Sequence, residues 1–103
     1  MDRHLSFISL AQKAGKVKTG EYLTEKALKE GMAYLVIIAS DTSEKATARI
    51  TRSCQYFGCD VLVYGTKETL GHFTGHQDKS VICITDEGFA SALKKRLENQ
   101  ENQ

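Results

Sequence analysis

Hydrophobic positions recur at helical spacing from Arg3 to Ala14, where Leu5, Ile8, Leu10 and Ala11 mark the buried stripe and Gly15 suits the C-cap. The polar-apolar-polar stretch "KVKTG" then predicts a brief strand or an extended arm. Gly20 to Glu30 returns to helical spacing, and Gly31 closes it. At about 100° per residue, Thr24, Ala27, Leu28 and Gly31 share its core side, with Tyr22, Lys26 and Lys29 opposite and Leu23 on the rim.

A continuous apolar run, Tyr34 to Ala39, follows. A strand apolar on both faces predicts a central parallel strand covered by helices on both sides. Asp41 with Glu44 three residues on resembles a capping box opening a third helix, whose apolar face is Ala46, Ile50, Cys54 and Phe57. "DVLVYG" (60–65) reads as a strand, "KETLGHF" as a short helix running into a glycine-marked loop, and "SVICIT" as another buried strand. Asp86 caps a last helix carrying Phe89, Leu93 and Leu97. This alternation predicts a three-layer α/β/α sandwich on a roughly four-stranded mixed sheet. With no proline, linker or repeat, residues 1–98 read as a single domain, and "ENQ" at 98–100 with 101–103 offers nothing to bury, so 99–103 should fray.

Composition narrows the function. Among 103 residues, 41% are hydrophobic and 26% charged, which is ordinary globular usage, and the net charge is only +1. Affinity for a polyanion must therefore come from local clustering. No run approaches the roughly 20 apolar residues of a membrane span and no signal peptide opens the chain, so a cytoplasmic protein without a membrane partner is expected. Three cysteines, Cys54, Cys59 and Cys83, are odd in number and read as small buried hydrophobes with reduced thiols.

Catalytic and cofactor chemistry find little support. Cys54 and Cys59 lack a second paired cluster, and His72 and His76 are interleaved with Gly71 and Gly75, which predicts a loop rather than a metal-binding helix. Asp86 and Glu87 satisfy a helix N-terminus. "GTKETLG" lacks the Gly-Lys-Ser/Thr ending of a phosphate loop, and no dinucleotide fingerprint is present. The reading is a binder rather than an enzyme, with no cofactor, metal or small-molecule substrate.

One region does point to a ligand. Lys13, Lys16 and Lys18 precede Thr19, Gly20 and Glu21 with no acid between Lys13 and Gly20. The free N–H groups of the helix start favour an anion such as phosphate. Lysines could equally be a solvated face with Tyr22 lying along their stems. Alternatively they contact RNA phosphates while Tyr22 stacks an unpaired base. A second basic row, Lys45, Arg49 and Arg52, reads as the solvated face of the third helix.

"TGEYLTEKALKEGMAYLVIIASD" resembles the signature of the kink-turn RNA-binding ribosomal protein family, the group of the archaeal L-seven-Ae and eukaryotic L-thirty-e proteins. Gly20, Lys26, Gly31 and Leu35 to Ala39 match in register, as does a Leu-Gly-x-x-x-Gly loop at Leu70, Gly71 and Gly75. "GFA" before the last helix is similar to the short bacterial members. The resemblance covers nearly the whole chain. It implies an α/β/α sandwich whose partner is structured, kink-turn-like RNA in the translation machinery, with ribosomal proteins as further neighbours. By position it places Gly20 and Lys26 at the RNA-contacting helix, and Gly75, with His76 and Gln77 behind it, at a second contact loop; Lys16, Lys18, Thr19, Glu21, Tyr22 and Lys79 complete the candidate RNA-binding set. The sequence departs from the family where an Asn-Glu pair is replaced by Tyr22 and Leu23. That removes an amide and a carboxylate suited to guanine edges. A protein-interaction module on the same fold is the alternative reading.

Overall fold

Among the described residues the alternation of periods becomes nine elements: α1 (Arg3–Lys13), β1 (Val17–Thr19), α2 (Glu21–Lys29), β2 (Leu35–Ile38), α3 (Glu44–Phe57), β3 (Asp60–Val63), α4 (Lys67–Phe73), β4 (Val81–Ile84) and α5 (Glu87–Gln100). The computed structural model describes residues 2–100. Of the tail expected to fray, 99 and 100 continue α5, and 101–103 lie outside the described residues.

The four strands form one sheet in the order β1-β4-β2-β3. As the apolar run predicts, β2 is central, and all four of its residues are buried. It is parallel only to β3, however: against β4 it runs antiparallel, with Leu35 opposite Ile84 and Ile38 opposite Val81. Apolarity on both faces reports burial, not strand direction.

Alternate residues of the strands feed two cores. Leu35, Ile37, Ile82 and Ile84 meet Leu5 and Ile8 of α1, Leu70 of α4, and Leu93 and Leu97 of α5. Val36, Ile38, Val81 and Cys83 meet Ala27 and Leu28 of α2 and Ile50 and Cys54 of α3. The result is the expected α/β/α sandwich, three helices on one face and two on the other.

Local expectations are corrected in four places. Asp41 does not cap α3. Ser43 does, accepting the Ala46 N–H at 3.2 Å, while Asp41 accepts the Lys67 N–H at the start of α4 (2.8 Å). Phe57 is 40% exposed, because α3 ends before its last turn reaches the sheet, so Ile50 and Cys54 alone form its buried face. Gly31 of the expected core stripe is exposed, since the chain has already left α2. Leu70, Gly71 and His72 lie inside α4, which spans the predicted helix "KETLGHF", and not in the loop that the Leu-Gly-x-x-x-Gly match and the interleaved glycines implied. Position 71 of the helix has to be glycine because the following segment packs directly on it: a Cβ there would fall 1.9 Å from the Gln77 carbonyl oxygen.

Candidate nucleic-acid interface

β1, β2 and β3 share one direction, so their C-terminal ends, and the starts of α2, α3 and α4 that follow, lie at one end of the sheet. β4 begins at that same end. Three helix N-termini thus bring the positive ends of their dipoles together; Ser43 caps α3, Asp41 and Thr66 cap α4, and α2 alone of the three opens without a side-chain cap.

Backbone bonds fasten this end. The Gly20 N–H donates to the Val81 carbonyl (2.9 Å), which seats the opening of α2 beside the exit of the 74–80 loop. Gly20 holds φ +90 and ψ 162, a conformation that essentially only glycine adopts, so the sharp turn from β1 into α2 requires it. The Ser80 carbonyl accepts both the Ala39 N–H (2.8 Å) and the Thr42 hydroxyl (3.1 Å). The Lys79 N–H donates to the Lys67 carbonyl (2.9 Å). The Gly20 turn that opens α2 and the exit of the 74–80 loop, far apart in the sequence, are therefore neighbours.

Their side chains face outward. Tyr22 is 78% exposed and Leu23 39%, and Lys18, Lys26, Gly75, His76 and Gln77 are also exposed, with Thr19 and Lys79 half-buried. Lys18 and Lys26 line one hollow of about 200 Å³ with Leu23, Glu30, Met32 and Thr85. Lys16 stands apart. Its carbonyl accepts the Thr85 N–H at the opposite end of β1 from Gly20. His72 is in the last turn of α4 and His76 lies beyond it, so the pair does not share a helix face.

Arg49 is not simply part of a solvated face. Its guanidinium grips Glu21 with two bonds, Nε to Oε2 at 2.5 Å and Nη2 to Oε1 at 3.0 Å. One turn on, the Ser53 hydroxyl donates to Glu25 (2.5 Å). Hydrogen bonding from Arg49 holds the Glu21 carboxyl below the usual carboxylate range. The sequence carries a faint signal of this: acids four apart on α2 and Arg49 and Ser53 four apart on α3. It becomes legible only once the two helices are known to lie side by side.

The chain matches the model of the ribosomal protein L7Ae/L30e/S12e/Gadd45 family over residues 3–94. It is 31% identical over 91 residues to the RNA-binding protein YlxQ of Bacillus subtilis (strain 168), covering 88% of this chain and 91% of that one. The RNA-binding protein YlxQ of Enterococcus faecium is 29% identical over 94 residues, covering 91% and 90%. Among solved structures, a protein of unknown function from Bacillus halodurans superposes with a TM-score of 0.88 at 30% identity, covering 92% of this chain and 96% of that one. A 15.5 kD RNA-binding protein of Giardia lamblia has the same fold, with a TM-score of 0.79 at 22% identity over 92% of this chain and 84% of that one.

Proposed function

Because the chain belongs to the ribosomal protein L7Ae/L30e/S12e/Gadd45 family, we propose that it is a non-catalytic RNA-binding protein that recognises structured, kink-turn-like RNA in the cytoplasmic translation machinery. The observation that carries this reading is the junction of α2 with the 74–80 loop through the Gly20–Val81 bond. Lys18, Lys26 and Lys79 supply charge for phosphates, and the free N–H groups at the start of α2 supply oriented donors. Tyr22 offers a ring for an unpaired base where the family carries an amide. The relatives named as RNA-binding agree with a binder in place of an enzyme.

Three lysine–phosphate contacts predict that log K falls against log salt with a slope of about −2 to −3. Titration of a synthetic kink-turn stem at several salt concentrations measures it, and a slope near zero removes the phosphate-contact reading. The exposed Tyr22 and Leu23 favour a second reading, a protein interface. Crosslinking in cells that recovers protein neighbours and no RNA would select it.

A further inference from the structure

The candidate interface contains one group of the wrong sign. Glu21 is the first residue of α2, directly before Tyr22 and five residues before Lys26. A free carboxylate there is drawn to the helix N-terminus, the position a phosphate would take. Instead it is turned onto α3, where the Arg49 guanidinium holds both of its oxygens in the fork geometry suited to a carboxylate. The Ser53–Glu25 bond one turn further along fixes the same pairing of helices. Arg49 is the member of its basic row that is used this way: among the described residues, Lys45 and Arg52 make no ion pair.

We propose that Arg49 is a positioning residue for RNA: it clamps the Glu21 carboxylate against α3, leaving the opening turn of α2 free to take an RNA phosphate. The proposal rests on the reading of α2 as the RNA-contacting helix. Hydrogen bonding to Arg49 keeps Glu21 on the ionised side at neutral pH, so its charge is removed from the interface by pairing rather than by protonation.

A double-mutant cycle on the synthetic kink-turn stem at fixed salt tests it. Arg49→Ala should weaken binding about tenfold, the size of a like-charge repulsion across roughly 6 Å at an effective dielectric of about 40, between that of a protein surface and that of water. Glu21→Gln alone is the reference for the cycle. The combined variant should recover to within about twofold of Glu21→Gln, because removing the carboxylate removes the need for its clamp. If it stays as weak as Arg49→Ala, the proposal is overturned, and a salt slope shallower by about one would show that Arg49 itself touches a phosphate. Lys26→Ala separates the two levels of the argument. Loss of binding in Lys26→Ala with none in Arg49→Ala sinks the clamp and leaves the RNA-contacting helix standing. No loss in either, or no binding by the wild type, takes down both.

Discussion

The two helical layers of this protein are built differently. On one face, α1, α4 and α5 bury Leu5, Ile8, Leu70, Leu93 and Leu97 against the sheet. On the other, α2 contributes only Ala27 and Leu28, and α3 only Ile50 and Cys54. The thinner layer is tied instead by polar links, an exposed one from Arg49 to Glu21 and a half-buried one from Ser53 to Glu25. Large aliphatic side chains fix a helix by excluding water over a wide area, whereas two hydrogen-bonded pairs fix direction with little burial. The α2–α3 layer, with its freer outer surface, is the one that carries Tyr22, Leu23 and Lys26. The thick layer supplies the platform, and the thin layer holds most of the groups proposed to contact RNA.

The largest test of this division is in the thick layer, at Gly71. An added Cβ would lie 1.9 Å from the Gln77 oxygen and 3.0 Å from the Asp78 nitrogen, both backbone atoms of a segment that cannot swing aside as a side chain does. Gly71→Ala should cost about 3 kcal/mol, the upper part of the usual overpacking range. Chemical denaturation measures it. Because that segment carries His76, Gln77 and Lys79, RNA affinity should fall as well. A fully stable Gly71→Ala would mean that the loop is not packed on α4, and the platform would lose its link to the interface.

How much of this was legible in the sequence varies with the physics involved. Strand positions and the two-faced burial of β2 follow from apolar periodicity alone, and Leu35 to Ala39 is central as expected. Strand direction does not follow from it, because an Ile-rich strand buried on both faces reads the same beside a parallel or an antiparallel neighbour. Asp41 shows the limit of cap patterns. Its spacing to Glu44 fits a box, yet the helix begins two residues later, so Ser43 caps α3 and the Asp41 carboxylate crosses to Lys67. The exposure of Tyr22 and the lysines was readable from the helical wheel. The meeting of the Gly20 turn with the exit of the 74–80 loop, and the place of Arg49, required the β1–β4 pairing and the packing of α2 on α3, neither of which leaves a local trace.

In the thin layer the complementary test is Tyr22. At 78% exposure its ring contributes little to packing, so Tyr22→Ala should shift stability by less than about 0.5 kcal/mol. Binding to RNA should weaken by about 1–3 kcal/mol, the worth of one stacked base. Thermal melts and titrations on the same preparations read both numbers. Gly71→Ala loses fold and binding together, whereas Tyr22→Ala should lose binding alone. If Tyr22→Ala binds RNA as the wild type does, the exposed ring serves another partner, and the protein-interface reading gains.

The smallest effect comes from two buried threonines, one in each layer. Thr74, 1% exposed, donates its hydroxyl at the end of α4 to the Leu70 carbonyl (2.7 Å) and lies 3.1 Å from that of Gly71. Thr24, also 1% exposed on the inner side of α2, has no partner for its hydroxyl among the described residues. A satisfied buried hydrogen bond is worth about 1 kcal/mol net, whereas an unsatisfied hydroxyl carries a desolvation cost with nothing to offset it. Thr74→Val should therefore destabilise by about 1 kcal/mol, because the methyl that replaces the hydroxyl cannot donate to either carbonyl. Thr24→Val, which keeps the β-branched shape and removes only the unpaired polar atom, should be neutral or stabilising by a few tenths of a kcal/mol. Paired denaturation curves decide it. Equal losses at both positions would mean that the Thr24 hydroxyl does have a partner under α2, and that the thin layer is held by more than its two polar links.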